Sequence, residues 1–416
     1  MQVYKFGGSV LKDAAGVRAA VERVKDAGTA LVVVVSAFGK TTSTLEEIAG
    51  TAWRGEKGTG EKSGRLREFH MHILRQLAGG GEAEERVQDL FTLLAGRLEQ
   101  PLPQDAGRWY DEIVSYGERL SAVIVGEALR QAGVEAEMID IRQVVVTDDR
   151  HRQARVIMKP TEERILRAFG GGEKIFLTHG YIAATAEGVP TTLGREGSDY
   201  TAALLGSILG AEKVVLWKDV PGVMNADPAT ESDAVHLPGI SYQEAAEMAF
   251  YGAKVIHPMT IKPLENSHIP LVVRGLFTPE NEGTLIWDLE EMIRHAPVFI
   301  RKERQILLSV FPRDYSFILN RHLEDLFGLF KTWRFNISLI QISAISVSFC
   351  IDDPEEGFME RVEELQKTYE VYFNREVELW TFRHYREILV KKKLKNCVTL
   401  VEQRTRLTAQ YVIKRV

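Results

Sequence analysis

An arginine and an aspartate stand four residues apart in the glycine-rich segment TTLGREGSDYTAA, residues 191–203. Arg195 can hold a carboxylate through two parallel hydrogen bonds, and Asp199 can hold an ammonium group. A glycine-rich turn that leads into a helix presents free backbone N–H groups and a positive dipole end to an anion. The segment therefore suits a zwitterionic amino acid. It equally fits an ordinary turn in which Ser198 or Asp199 caps the helix.

A second segment suited to an anion, VYKFGGSVLK, lies at residues 3–12. It predicts a short apolar strand, a Gly7–Gly8 turn and then an amphipathic helix. Adjacent glycines let the backbone approach a phosphate closely, and Lys5 adds a mobile positive charge. Neither GxxxxGK[ST] nor GxGxxG is present, so this is not one of the common nucleotide loops. The Gly7–Gly8 turn by itself is weak evidence for a phosphate-binding site.

A third segment, ALVVVVSAFGKTT at residues 30–42, joins a continuous apolar run to a group of hydroxyls. The run is typical of a parallel strand that is buried on both faces. Ser36, Gly39 and Thr42 follow it, at the edge where open α/β sheets bind ligands. The threonines could equally cap the next helix.

Six motifs in a fixed order resemble those of the aspartate kinases, most closely the short, monofunctional ones, within the amino-acid kinase family. They are KFGG, SAFGKTT, SYGERLSA, TTLGREGSDYTAALL, WKDVPGVMNADP and EMAFYGAKVIHP. The resemblance runs from residue 3 to about 286 and implies a three-layer α/β/α fold. The alternation of strands and helices over the same residues also predicts a mostly parallel sheet covered on both faces.

The resemblance implies a reaction in which the γ-phosphoryl group of MgATP moves to the side-chain carboxylate of L-aspartate. The product would be 4-phospho-L-aspartate, in the first step of the route to lysine, threonine and methionine. A carboxylate is already a nucleophile, so catalysis requires alignment and charge neutralisation and no general base. His179 and His257 are accordingly interpreted as structural.

The resemblance also implies roles for individual residues. Lys5 and Asp199 would be catalytic, with Lys5 on the transferring phosphoryl group. The acceptor amino acid would contact Ser36, Thr42, Glu118, Arg195 and Ser198. ATP would contact Lys5, Gly7, Gly8, Ser9, Lys218, Asp219, Asp227 and Lys254. No side chains are expected to form a dedicated metal site, because Mg²⁺ dehydrates reluctantly and would be carried mainly by phosphates and water.

Four positions depart from the family pattern: Val10, Lys218, Met224 and Ala229. Val10 replaces a hydroxyl, and Ala229 replaces an arginine that could contact a phosphate. These changes bear on nucleotide affinity more than on the chemistry.

The predicted organisation has a catalytic domain at 1–287, with a helical excursion at about 45–135, and a connector at 288–303. Residues 304 to about 385 show the order β-α-β-β-α-β, a ferredoxin-like arrangement that resembles the ACT domains. The remainder, 386–416, either completes a minimal second unit or adds strands to the first. The resemblance implies an amino-acid effector, lysine or threonine, and a homodimer or higher homo-oligomer.

Composition narrows the alternatives. The chain has 416 residues, a net charge of -6 and two cysteines. The net charge gives no reason to expect a nucleic acid or a membrane as a partner. The low number of cysteines favours a reducing compartment, the cytoplasm. Two other functions stay open: a kinase for another small amino acid such as glutamate, or a non-catalytic amino-acid sensor. Glu118 and Arg195 favour a free amino acid, while Lys5, Asp199 and Lys254 favour catalysis.

Overall fold

The computed structural model describes most of the chain. The described residues are 1–28, 30–78, 80–170, 172–253, 256–278, 280–288, 296–314, 316–354 and 356–415. They divide into two compact units. The N-terminal unit comprises Met1–Val223, His236–Ala246 and Val255–Ile293, and the C-terminal unit comprises Met224–Val235, Glu247–Lys254 and Arg294–Val416. The connector predicted for 288–303 falls partly outside the described residues, and the domain boundaries themselves remain a prediction.

Up to Trp287, the described residues form strands and helices in alternation. The strands are β1 (Gln2–Phe6), β2 (Leu31–Val35), β3 (Ala136–Ile139), β4 (Val146–Thr147), β5 (Ile175–His179), β6 (Ile182–Thr185), β7 (Pro190–Thr192), β8 (Lys213–Lys218), β9 (Gly239–Ser241), β10 (Leu271–Gly275) and β11 (Thr284–Trp287). The helices are α1 (Ala14–Ala27), α2 (Thr41–Trp53), α3 (Thr59–Gln76), α4 (Glu82–Glu99), α5 (Ala106–Val114), α6 (Tyr116–Gln131), α7 (Ile141–Val144), α8 (Met158–Ala168), α9 (Gly197–Leu209), α10 (Tyr242–Phe250) and α11 (Pro258–Asn266).

The main sheet of the N-terminal unit has the strand order β3-β5-β2-β1-β8-β10-β11-β9. Its pairs are parallel except β10 with β11, which confirms the mostly parallel sheet. Every residue of β2 is fully buried, as its apolar run predicts. One face of the sheet packs against α1 and α6. Gly206 of α9 lies against Val214 on the other face, so the sheet is the middle of three layers.

Helices α2 to α6 interrupt the strand–helix alternation between β2 and β3. Their apolar faces join the core of the sheet layer through residues such as Leu45, Leu74 and Trp109. The indole N–H of Trp109 donates to the carbonyl of Ala49 at 2.8 Å, which fixes α5 against α2. These helices therefore form one packed body with the sheet and are not a separate module.

The C-terminal unit is built on a single antiparallel sheet. Its elements are β12 (Val298–Pro312), α12 (Asn320–Trp333), β13 (Ile337–Ile342), β14 (Val347–Asp352), α13 (Phe358–Gln366), β15 (Tyr369–Arg383), α14 (Glu387–Leu394), β16 (Cys397–Arg404) and β17 (Thr408–Arg415). The strand order is β13-β14-β12-β15-β17-β16. The first four of these have the ferredoxin-like order, which confirms the predicted α+β fold.

Two strands are longer than the sequence indicates. The runs QILLSVFP and EVELWTFRH predict strands at 305–312 and 376–384, but β12 and β15 begin at Val298 and Tyr369. The added stretch of β12, residues 298–304, contains four charged residues. Ion pairs between the strands, such as Arg301 with Glu378 at 2.6 Å, satisfy these charges within the sheet. The amphipathic run YSFILNRHLEDLFGLFKTW predicts a helix over 315–333, and α12 begins at Asn320, after the extended Leu319.

The tail after residue 385 adds strands to the same sheet. β17 pairs antiparallel with β15 from Glu378 to Arg383, and β16 pairs with β17. The segment of β12 from Val298 to Lys302 completes this half of the sheet, beyond a bulge at Lys302–Gln305. The tail thus adds two strands to the sheet of the C-terminal unit, and the division of this region into ACT-like units remains a prediction.

Candidate active site

Four strand ends meet at one edge of the main sheet. β5, β2, β1 and β8 are neighbours and parallel, so their carboxyl ends lie side by side. Backbone hydrogen bonds join the loops that follow them: Ser36 N to Phe6 O at 3.2 Å, and Gly180 N to Val35 O at 2.9 Å. This edge carries the residues from three of the predicted motifs, and it is the expected ligand crevice of such a sheet.

The Gly7–Gly8 turn is packed against the turn that follows β2. A Cβ at Gly8 would lie 2.4 Å from the carbonyl oxygen of Ala37, a distance that real side chains do not adopt. Gly39 N donates to Gly8 O at 2.9 Å and locks the two turns together. Glycine at position 8 is therefore required by close backbone approach.

Lys5 and Lys218 share the carboxylate of Asp199. The Nζ of Lys5 is 2.5 Å from Oδ1 of Asp199, and the Nζ of Lys218 is 3.0 Å from Oδ2. Burial alone would raise the pKa of Asp199, but the two ammonium groups outweigh it and lower the pKa to about 2. Burial opposes the charge of Lys218, yet Asp199 raises its pKa. The three groups carry a net charge of about +1, which can neutralise developing phosphoryl charge.

Glu118 lies inside the site and is 2% exposed. Its Oε1 accepts a hydrogen bond from Ala37 N at 3.4 Å, whereas Oε2 has no hydrogen-bond partner among the described residues. Burial raises the pKa of Glu118 to about 8, against the opposing effect of backbone N–H groups and Lys5. A buried carboxylate with one unsatisfied oxygen is suited to accept an ammonium group.

The hydroxyls of the turn after β2 do not serve as helix caps. Helix α2 begins at Thr41, and its N-cap is Lys40, with no side-chain capping bond. Ser36 and Thr42 are half-buried at the strand edge. Thr41 is buried, and its hydroxyl lies 3.4 Å from Nε2 of His70.

The turn before α9 also differs from a simple cap. The helix begins at Gly197, and its N-cap is Glu196 in the left-handed region with φ 54°. Ser198 and Asp199 thus lie in the first turn of the helix, so the capping alternative is wrong. Arg195 is exposed in this turn. Ser198 packs closely against Gly180, because a Cβ atom added to Gly180 would lie 2.5 Å from the Cβ of Ser198.

The residues predicted to bind ATP are only partly brought together. Ser9 is exposed beside Gly7, and Asp219 is exposed directly after β8. Asp227 belongs to the C-terminal unit, where its carboxylate accepts a hydrogen bond from Ala229 N at 3.0 Å. Lys254 lies outside the described residues. Val10 is fully buried in the apolar core, which explains its lack of a hydroxyl.

Both histidines that were interpreted as structural have structural positions. His179 ends β5 and is 4% exposed, and burial lowers its pKa to about 4. His257 is the N-cap of α11 and accepts a hydrogen bond from Met259 N at 3.3 Å. Neither contacts the lysine–aspartate group through any described hydrogen bond.

Sequence reasoning missed several buried or half-buried polar residues near the site: Tyr110, Asp111, Tyr181 and Thr192. Asp111 and Thr192 are fully buried. Asp111 lies in α5, where an aspartate is ordinarily exposed. The sequence offers one indication that Asp111 is buried. Trp109, Ile113 and Val114 stand close to it on this short helix, and all three are apolar and buried.

Sequence comparison relates the chain to enzymes of known activity. Residues 1–275 match the model of the amino acid kinase family. Lysine-sensitive aspartokinase 3 of Escherichia coli (strain K12) is 32% identical over 358 residues, which cover 84% of this chain and 78% of the relative. The chloroplastic bifunctional aspartokinase/homoserine dehydrogenase 2 of Arabidopsis thaliana is 30% identical over 367 residues, which cover 85% of this chain and 40% of that relative.

Structural comparison gives likenesses over the full length. The crystal structure of E. coli aspartokinase III in complex with aspartate and ADP (R-state) has a TM-score of 0.84 at 27% identity, covering 99% of this chain and 96% of the other. The complex of E. coli aspartokinase III with lysine and aspartate (T-state) has a TM-score of 0.80 at 27% identity, covering 99% and 95%.

Proposed function

Because the chain belongs to the amino acid kinase family and, within it, to the aspartokinases, we propose that the site described above phosphorylates L-aspartate with ATP. The products are 4-phospho-L-aspartate and ADP. The observation that carries the assignment of roles is the buried group of Lys5, Asp199 and Lys218 beside Glu118. It combines excess positive charge for a phosphoryl group with a carboxylate for an ammonium group.

The chemistry is a direct displacement at phosphorus. One oxygen of the aspartate side chain attacks the γ-phosphorus of ATP, and the bond to the oxygen that bridges the β-phosphate breaks. ADP leaves with that electron pair, and no proton has to be removed from the nucleophile. Lys5 stabilises the charge on the transferring group, and Asp199 holds Lys5 and Lys218 in place.

The acceptor is held by its charged groups. Arg195 binds the α-carboxylate with its planar guanidinium, and Glu118 binds the α-ammonium through its unsatisfied oxygen. Ser36 and Thr42 hold the side-chain carboxylate in line with the phosphoryl group, and Ser198 completes the wall.

The nucleotide lies on the other side of the phosphoryl group. Gly7, Gly8 and Ser9 present backbone and hydroxyl groups to the phosphates. The other proposed contacts of ATP are Lys218, Asp219, Asp227 and Lys254. ATP-dependent kinases require a divalent metal ion, and we propose Mg²⁺, which would supply positive charge to the phosphates when bound. Asp199 is not its ligand, because both of its oxygens contact ammonium groups. Asp219, exposed after β8, is the carboxylate available to face the metal.

The C-terminal region, 304–416, is proposed as regulatory. Its fold is ACT-like, and the similar E. coli enzyme is lysine-sensitive. We propose lysine or threonine as the effector and a homodimer or higher homo-oligomer as the assembly. A cytoplasmic location fits the two free cysteines, Cys350 and Cys397.

A substrate panel tests the function. The purified chain is incubated with MgATP and, in turn, aspartate, glutamate and N-acetylglutamate, while ADP release is followed by a coupled assay. Hydroxylamine trapping reports the acyl phosphate independently. Turnover with aspartate alone is expected. Turnover only with glutamate would overturn the substrate, and turnover with none of the acids would favour a sensor.

A further inference from the structure

Helix α5 carries two adjacent polar residues, Tyr110 and Asp111, that belong to no recognised motif. Asp111 is fully buried, and its carboxylate accepts three donors from two segments. His151 Nδ1 is 2.8 Å from Oδ2, Arg152 N is 3.0 Å from Oδ2, and the hydroxyl of Thr192 is 2.6 Å from Oδ1. A buried carboxylate that loses one of these hydrogen bonds costs free energy, so the network holds Asp111, His151, Arg152 and Thr192 in fixed positions.

The segments that Asp111 joins lead directly to the turn that carries Arg195. Thr192 ends β7, three residues before Arg195. Ala154 N donates to Thr192 O at 2.9 Å, so residues 151–154 run beside β7. Gly194, at φ 80°, is covered by the same segment, because a Cβ there would lie 3.1 Å from Cγ of Gln153. Asp111 thus supports the turn from behind.

Tyr110 reaches the opposite side of the acceptor pocket. Its hydroxyl donates to Glu46 at 2.5 Å and lies 3.2 Å from the hydroxyl of Tyr181. Glu46 stands one helical turn after Thr42 on α2, on the same face. Tyr181 O accepts a hydrogen bond from Leu193 N at 2.9 Å, which connects the pair back to the Arg195 turn.

We propose that Tyr110 and Asp111 are positioning residues for aspartate: they set the distance between the Arg195 turn and the Thr42 end of α2. This inference rests on the proposed function. Neither residue touches the reacting atoms. Their loss should therefore weaken the binding of aspartate and leave the nucleotide side, which is held by β1 and β8, largely unchanged.

Thr192 offers a sharp test with a matched control in the next residue. Thr191 is equally buried, but its hydroxyl bonds Thr147 at 2.7 Å and lies on the other face of β7. Thr192→Val removes the bond to Asp111 at nearly constant volume, Thr192→Ser keeps it, and Thr191→Val removes the neighbouring bond. The aspartate Kd by calorimetry, both KM values and kcat are measured for each variant and for the wild type.

Thr192→Val should raise the aspartate Kd and KM on the order of tenfold, while the ATP KM stays within about twofold. Thr192→Ser and Thr191→Val should stay within about twofold of the wild type for aspartate. Tyr110→Phe leaves the Asp111 network intact and should raise the aspartate KM severalfold. It is the test variant to use if Thr192→Val does not fold.

Two results would overturn the inference. One is an equal rise in aspartate KM for the valine variants at 191 and 192. The other is an unchanged aspartate Kd in both Thr192→Val and Tyr110→Phe. A wild type that binds aspartate without phosphorylating it would instead overturn the proposed function and leave the binding comparison valid.

Discussion

At the scale of single residues, the site depends on an imbalance of charge. Asp199 neutralises only one of the two lysines it contacts, and its own pKa is lowered to about 2, so it stays ionised at any working pH. The excess positive charge is thus fixed before ATP arrives. A preorganised charge costs no reorganisation during the reaction, which is why such groups contribute strongly to catalysis.

Lys5→Ala should lower kcat by about a hundredfold or more, because one charge placed on the transferring group is typically worth about 3 kcal/mol. Aspartate should still bind, since its contacts lie elsewhere in the site. Steady-state kinetics and calorimetry measure the two effects separately. Lys25→Ala, which removes an exposed lysine of α1, is the control. A Lys5→Ala enzyme that keeps most of its turnover would exclude Lys5 from the phosphoryl group.

Glu118 should make aspartate binding depend on pH, if it binds the α-ammonium group as proposed. Its pKa of about 8 means that it is protonated in the free enzyme at neutral pH and must lose that proton to pair with an ammonium group. The aspartate KM should therefore fall as pH rises from 6 to 8, by up to about tenfold per pH unit, and then level off. Glu118→Gln should show a higher KM with little pH dependence. A wild-type KM that is flat from pH 6 to 9 would contradict this.

The same pKa has a consequence for stability of the free enzyme. The folded-state pKa of Glu118 lies above its ordinary value of 4.5, so its contribution to stability is complete below pH 4.5 and is lost as pH rises through about 8. Without aspartate, the melting temperature of the wild type should fall over this range relative to Glu118→Gln.

At the scale of elements, the sequence indicates the strand ends well and the supporting helices poorly. The buried run of β2 and the turns around Gly8, Ser36 and Asp199 were predicted and lie together. Asp111 could not be found in this way, because an aspartate in an amphipathic helix is usually exposed and its partners are about 40 and 81 residues away. Contacts of that range depend on tertiary packing, which local patterns do not encode.

Gly8→Ala tests whether two turns must touch for the site to form. The added methyl group would lie 2.4 Å from the carbonyl oxygen of Ala37, and a backbone atom cannot move aside without shifting the turn. A displacement of about 1 Å should lower kcat/KM on the order of a hundredfold. Gly60→Ala, in α3 with open space around the position, is the control and should be neutral. Normal kinetics in Gly8→Ala would show that the turns are not coupled.

At the scale of the whole molecule, the C-terminal unit has features of an assembly surface. β13 and β16 stand at the two ends of the strand order, and both present large apolar side chains to solvent. Ile342 is 54% exposed and Val398 is 50% exposed. Sheet edges of this kind readily pair with another chain. The sequence predicted the ferredoxin-like order here and left the extension of the sheet by the tail as one of two alternatives, because a short remainder with two strands fits either a second unit or the same sheet.

A regulatory ligand at this unit should change both activity and stability. If lysine or threonine binds at a subunit interface and favours a less active arrangement, it must bind that arrangement more tightly, and the difference in affinity is the coupling free energy. A coupling of about 1–3 kcal/mol corresponds to a change in aspartate affinity of about 5- to 150-fold. The full chain is therefore titrated with each amino acid separately and together, with alanine as the control, while turnover, melting temperature and molar mass in solution are followed. Inhibition with a raised melting temperature is expected for lysine or threonine, in a dimer or larger oligomer. If neither ligand changes turnover or melting temperature while the oligomer persists, the C-terminal unit serves assembly alone.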